Sequence, residues 1–256
     1  MTDTPVIVRC EDGVGTVTLN RADKRNALDS ATIDGIRIAM MQMEADDDVR
    51  VIVLRGDGPD FCAGADLAQL ERIAAGADSM ENLRDAQQLG DLFIRMRRGA
   101  KPIMAAVQGS AIAGGAGLAG ACDIVLASDD AVFGYPEVHL GFVPAMVMAL
   151  LRRAVGEKVA FELVTRGDRI DASEAHRVGL VNRVFPADDF DASVDAFASH
   201  MTHPSASALA LTKRLLYGMD GLSFEDAIAR GAEVNALARA TDDCREGIRS
   251  FLEKRH

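Results

Sequence analysis

AIAGGAGLAGACDIVLASDDAVFGYPEVHLGFVP, residues 111–144, decides the fold of this chain. Gly114, Gly115 and Gly117 follow the apolar run Ile103–Val107 and open a stretch of small residues that reads as a helix. At such a helix start the backbone N–H groups point outward, and the dipole favours an oxygen carrying negative charge. Further on, Tyr135-Pro136-Glu137 sets an acid on a turn whose backbone Pro136 restricts. Aimed amides plus one positioned carboxylate are the parts that proton transfer beside a carbonyl requires.

The same strand, glycine turn and helix occur earlier. Val49–Leu54 is a continuous apolar run, as in a strand buried on both faces, and Gly56-Asp57-Gly58-Pro59 ends it. Phe61-Cys62-Ala63-Gly64-Ala65-Asp66-Leu67 then leads through small residues into a helix. Two such units, at 51–70 and 103–122, predict parallel strands in a layered α/β fold. Before them, Glu11-Asp12-Gly13 between Val6–Arg9 and Gly15–Leu19 predicts a β-hairpin. Asn26-Ala27-Leu28-Asp29 leads into a helix capped by Asp29 or Ser30, with Ile33, Ile36, Met40 and Met43 on one face. A further helix is expected over 81–98.

From residue 145 the pattern becomes helix after helix. Helices are predicted over 145–154, 157–165 and 173–178, the last capped by Ser173 and stopped by Gly179. A short strand follows at Leu180–Val184, then helices over 188–200, 204–217, 223–240 and 242–254. With no strands left to cover, these last helices are expected to pack on the core or on another subunit.

Bulk properties narrow the function. At 256 residues the chain suits one large domain, or one domain with a helical appendage; the expected division is 1–190 for the core and 191–256 for the C-terminal helical region. A net charge of −11 argues against a general nucleic-acid binder, which needs a basic face. Cys10, Cys62, Cys122 and Cys244 are scattered without metal-ligand spacing, so no metal site is expected; Cys62 and Cys122, in small-residue apolar contexts, are read as buried thiols in a reducing compartment. The N-terminus shows no signal-peptide pattern, and no run approaches a membrane span of ~20 apolar residues. A cytoplasmic protein that meets neither membrane nor nucleic acid is expected.

If the two strands are neighbours, one N–H from each glycine-rich loop can converge on the same oxygen, as in an oxyanion hole. Either loop alone is explained by close helix–sheet packing; the pair with Glu137 downstream favours the chemical reading. Neither loop carries the Lys-Ser/Thr ending of a P-loop or the GxGxxG of a dinucleotide fold, and no GxSxG elbow is present. His139, two residues beyond Glu137, would share its side on an extended backbone, but it is read as structural. Asp123, Asp129 and Asp130 are expected to cap turns in solvent, and the acidic run 44–48 to be a solvated helix end.

RADKRNALD, FCAGADL, the stretch from Lys101 to Pro144 and GEKVAFELVTRGDRIDASEAHRVGLVNRV together resemble the enoyl-CoA hydratase/isomerase (crotonase) family. The likeness runs in order from about residue 5 to the terminal FLEKRH. It implies a spiral core of ββα repeats with two nearly perpendicular sheets, and a C-terminal helical region used in trimer formation, giving a homotrimer or a pair of trimers. It also implies an acyl-CoA thioester as substrate, with no separate cofactor. By motif position the two oxyanion amides are Ala65 and Gly114. CoA would lie along Arg25, Ala27, Ala63, Asp66 and Leu67, with Phe251 and Lys254 contributed by a neighbouring subunit.

The departures from the family pattern matter more. Family hydratases usually hold a water between two glutamates; the later one matches Glu137, whereas the earlier falls on Gly117, which has no side chain to hold water or move a proton. In some family isomerases an aspartate lies eight residues after the glutamate, where Ala145 stands here. A 3-enoyl to 2-enoyl shift needs one base that takes the C2 proton and returns it at C4. Glu137 can serve both halves, so a single-glutamate isomerisation is the expected chemistry. The alternatives are hydration helped by His139 or by an acid within 71–91, and an acyl-CoA-binding protein without activity.

Overall fold

The computed structural model describes residues 4–76 and 78–253. β1 (Val6–Glu11) and β2 (Val14–Leu19) form the expected antiparallel hairpin, turned by Asp12 and Gly13 at φ 49° and 82°. Two consecutive positive φ values match the strands' right-handed twist, which is why Asp-Gly suits this turn. α1 (Ser30–Ala45) is capped by Asp29, whose carboxylate accepts the Thr32 N–H at 2.8 Å. Its predicted apolar stripe is the face it buries.

β3 (Val51–Gly56), β4 (Ile103–Val107), β6 (Ile124–Ser128) and β9 (Arg183–Phe185) continue from β2 in parallel, giving a six-stranded sheet of order β1-β2-β3-β4-β6-β9. The two strands bearing the glycine-rich loops are thus immediate neighbours. The all-buried residues of β4 explain its unbroken apolar run, since a central parallel strand is covered on both faces. One cover is α8 (Phe190–Met201), which lays Phe190, Val194 and Ala198 on Val51, Val53, Met104, Ala106 and Leu126. The sequence reading left this helix no strands to cover; the sheet's outer face supplies them.

A second, three-stranded sheet escapes sequence reading. β5 (Ser110–Ile112), β7 (Val132–Gly134) and β8 (Arg169–Asp171) pair in the order β5-β7-β8. Three residues are too few to display a period of two. Between them run α4 (Gly114–Ala121), α5 (Ala145–Val155) and α6 (Glu157–Arg166). α7 (Ala172–Arg177) starts one residue earlier than expected, and its cap is Asp171, which accepts the Glu174 N–H at 2.7 Å, rather than Ser173. Leu180 and Val181 enter the core ahead of β9, so the last strand lies three residues beyond its expected start.

α2 (Leu67–Ala74) and α3 (Ser79–Arg98) stand between the two loop-bearing strands in sequence, and α9 (Ala206–Gly218), α10 (Phe224–Arg239) and α11 (Asp242–Glu253) complete the chain. α9 is pinned to the core by Lys213, buried, 2.8 Å from the Asp123 carboxylate and donating to the Met96 and Lys101 carbonyls at 2.9 Å. Tyr217 donates to the same Asp123 at 2.7 Å, and the Arg97 guanidinium lies over the Tyr217 ring. Asp123 is therefore an interior anchor, not a solvent-facing turn cap. Glu44 departs likewise from the solvated-end reading: it accepts the backbone N–H groups of Ala100 and Lys101 beyond the end of α3.

Candidate active site

The two glycine-rich loops are laced together through backbone bonds. The Cys62 N–H donates to Ser110 O at 2.9 Å and the Ile112 N–H to Cys62 O at 3.0 Å, while the Leu28 N–H donates to Gly64 O and the Asp66 N–H to Leu28 O. This lacing demands glycine at position 115, where a Cβ would stand 2.2 Å from the Cys62 carbonyl oxygen. Gly64 adopts φ 93° with Ile112 O only 2.8 Å from where its Cβ would be. Ala113 takes φ 52° directly before α4, a strained conformation for a residue with a Cβ, at the point where the chain turns into the helix.

The lacing leaves two loop amides without a backbone acceptor among the described residues. Leu28 exchanges its bonds with Gly64 and Asp66, so among the described residues the Ala65 N–H between them meets no backbone carbonyl. Gly114 heads α4, where a helix has no internal acceptor for its N–H. Ala65, Gly114 and Glu137 all line one cleft of about 460 Å³ whose walls are mainly apolar. The three residues singled out in the sequence are thus brought together.

Glu137 sits in a single 3-10 turn, Pro136–Leu140, with proline in its first turn. The carboxyl is half-buried, and among the described residues its Oε2 is buried without a hydrogen-bond partner. Burial holds this carboxyl above the usual range, opposed by its own backbone N–H. A carboxylate short of partners in an apolar cleft is a group chemically able to accept a proton. His139 does not share that side. Successive residues of a 3-10 turn are ~120° apart, and His139 is exposed, its Nε2 2.6 Å from where a Gly167 Cβ would be.

Position 117 is closed to a second acid. A Cβ on Gly117 would lie 2.7 Å from Val147 Cγ2 and 2.9 Å from Phe93 Cζ, so two apolar side chains fill that space. Ala145 also lines the cleft, without a group to move a proton.

Of the expected CoA residues, Ala63 and Leu67 line the cleft, and Arg25, Ala27 and Asp66 do not. Arg25 is fixed by Asp60 through contacts of 2.7 and 3.0 Å and donates to Ser110 Oγ at 2.8 Å, while its carbonyl accepts the Ala63 N–H. The paired guanidinium draws the Asp60 carboxyl down to about 2. Ala27 is buried and accepts from Arg21, which also pairs with Asp66 at 3.0 Å. Asp66 caps α2 through the Ala68 N–H, which with Arg21 lowers its pKa, and Leu67 stands exposed at the first position of that helix. Phe251 lies exposed on α11 and is not among the residues lining the cleft, whereas Lys254 lies outside the described residues.

Sequence reading offered an acid within 71–91 without placing it and gave no sign of its partner Gln69. Asp85 and Gln69, from α3 and α2, line the cleft, and Gln69 Nε2 donates to Asp85. Both occupy helices whose polar positions look alike in sequence, so no pattern separates them from solvent-facing neighbours.

Comparison with known proteins agrees with this architecture. The Enoyl-CoA hydratase/isomerase family model matches residues 9–256. A Thermus thermophilus protein whose name places it among enoyl-CoA hydratases is 44% identical over 251 residues, covering 97% of this chain and 98% of the relative. A 2,3-dehydroadipyl-CoA hydratase of Escherichia coli is 35% identical, covering 98% and 96%. The crystal structure of an enoyl-CoA hydratase from Mycobacterium smegmatis superposes with a TM-score of 0.92 at 31% identity, covering 98% and 96% of the two chains. With the laced loops, the two sheets and these matches over nearly its whole length, the chain belongs to the enoyl-CoA hydratase/isomerase family, whose crotonase fold it adopts.

Proposed function

We propose that this enzyme moves the double bond of a 3-enoyl-CoA into conjugation with its thioester, with Glu137 as the single proton carrier. The carboxylate takes a proton from C2, the electron pair moves onto the thioester oxygen as a dienolate, and the Ala65 and Gly114 amides hold that oxygen. The same carboxyl then returns the proton at C4, leaving the double bond between C2 and C3. The observation that carries this reading is the packing of Phe93 and Val147 against Gly117, which leaves the second glutamate of a family hydratase no room. Each oxyanion donor is worth about 3 kcal/mol of barrier. The thioester is the substrate and no other cofactor is required.

The CoA moiety is assigned to Arg25, Ala27, Ala63, Asp66 and Leu67. The C-terminal helices leave Phe224, Ile228, Leu237, Ile248 and Phe251 exposed, more apolar surface than a solitary subunit should present to water. A homotrimer in which a neighbour supplies Phe251 and Lys254 accounts for it, with pairs of trimers as a larger form. Light scattering on the pure protein should give three or six times the 27.3 kDa chain mass; a monomer mass would reject this part of the reading. A cytoplasmic location completes it; among the described residues no helix is long and apolar enough to cross a membrane.

Hydration is the second reading, favoured by the names of the Thermus and Escherichia coli relatives. The two are separated by supplying a 3-enoyl-CoA and following the absorbance of the conjugated thioester. A rise supports isomerisation. No rise, together with loss of conjugation from a 2-enoyl-CoA, supports hydration. Gly117→Glu should not install a hydratase: the side chain must displace Phe93 and Val147, and overpacking of this kind costs about 1–3 kcal/mol. A lowered Tm without hydration of a 2-enoyl-CoA is expected.

A further inference from the structure

Asp85 is a carboxylate placed in a mainly apolar cleft and held there from two sides. Gln69 Nε2 of α2 donates to its Oδ2, and Ser30 Oγ at the start of α1 donates to its Oδ1 at 3.4 Å. Among the described residues it forms no ion pair, and its oxygens keep acceptor sites beyond these two bonds. Its place relative to the chemistry follows from the helix. Leu89, one turn on along α3, reaches within 3.7 Å of the Gly114 Cβ position. Asp85 stands one turn, about 6 Å along the helix axis, before Leu89, and both residues line the cleft that Gly114 also lines.

A cleft meant for a plain hydrocarbon chain has no use for such a group. Covering a carboxylate with methylene groups strips it of water and returns no hydrogen bond. An acyl chain carrying a hydroxyl at the matching carbon replaces that water. We propose that Asp85 is a specificity-determining residue, selecting acyl-CoA thioesters whose chain bears a hydrogen-bond donor, a hydroxyl group, beyond the reacting carbons. This rests on the reading of the cleft as an acyl-CoA site, and it names the substrate class for that site.

The test is equilibrium binding of saturated acyl-CoA thioesters, which needs no turnover. Calorimetry compares butanoyl- to octanoyl-CoA with their ω-hydroxy derivatives, so that one length sets the hydroxyl at Asp85. A hydrogen bond to a charged group predicts that the best hydroxylated member binds about tenfold more tightly than its plain counterpart. In Asp85→Leu this preference should vanish while plain chains bind better, and Asp85→Asn should keep part of it. A residue that merely tied α3 to α2 would change Tm and leave the ratio alone. Equal affinities for every pair, or a ratio unmoved in Asp85→Leu, would overturn the assignment while leaving the acyl-CoA reading intact. If neither kind of thioester binds, both fall. Should Asp85→Leu bind plain chains normally yet fail to convert any of them, Asp85 belongs to the chemistry and the specificity role is rejected.

Discussion

Replacing Glu137 by Gln should lower turnover of a 3-enoyl-CoA by at least ~10³-fold, the upper part of the range for loss of a general acid–base. The amide keeps the size of the side chain but can neither take nor return a proton. Binding of a saturated acyl-CoA, measured by calorimetry, should change little, because the residues assigned to CoA, from Arg25 to Leu67, and the two amides are untouched. Turnover equal to wild type would remove Glu137 from the mechanism.

The environment of Glu137 adds two consequences. Burial holds its carboxyl above the usual range, so kcat/KM should fall with decreasing pH, beginning above the pH at which an ordinary glutamate protonates. In Glu137→Gln any residual rate should lose that acidic limb. The same shift acts on stability in the opposite sense. A carboxyl whose folded pKa is raised adds stability below its unfolded pKa, and that contribution is lost as pH rises through the folded value. At neutral pH the ionised group is therefore a burden on the fold, and Glu137→Gln should melt higher than wild type while being inactive. A lower Tm for the variant at neutral pH would contradict a half-buried carboxyl whose Oε2 has no hydrogen-bond partner among the described residues.

The largest stability loss is expected from Lys213→Ala. Lys213 satisfies the Met96 and Lys101 carbonyls and pairs with Asp123, so its removal leaves a mostly buried carboxylate without its counter-charge and uncaps two carbonyls at once. Breaking a buried pair in this way costs about 3–5 kcal/mol. Denaturant unfolding should show that loss with an unchanged m-value. Removing Asp123 in the same chain should recover part of it, because no lone charge is then left inside. A change below ~1 kcal/mol would mean that water reaches this pair and screens it as it does a surface pair. Because the pair joins α9 to α3 and to the turn before β4, its loss should also loosen the C-terminal helices, visible as faster amide exchange in α9.

How far the sequence could be read depended on the length of each signal. α1 was legible because Asp29 caps it and four apolar residues recur at helical spacing over about three turns. β3 and β4 were legible because a strand covered on both faces is apolar at nearly every position. β5, β7 and β8 were not, since three residues carry no period, and the cap of α7 was placed on Ser173, two residues past Asp171, because both are good cap types and only geometry separates them. α8 was legible as a helix and misjudged in its role, because nothing local tells which sheet face a helix will meet.

By itself the sequence determined the glycines that let two loops approach to hydrogen-bonding distance, the proline that sets Glu137 on its turn, and the absence of a side chain at position 117. These are properties of single residues and of their order along the chain, which is why they survive without coordinates. Only the tertiary structure decided that Phe93 and Val147 close the space beside Gly117, that Asp123 meets Lys213, and that Asp85 faces the cleft instead of water. Each of these joins residues far apart in sequence, and their meeting depends on how helices settle on the sheets, which no local pattern encodes.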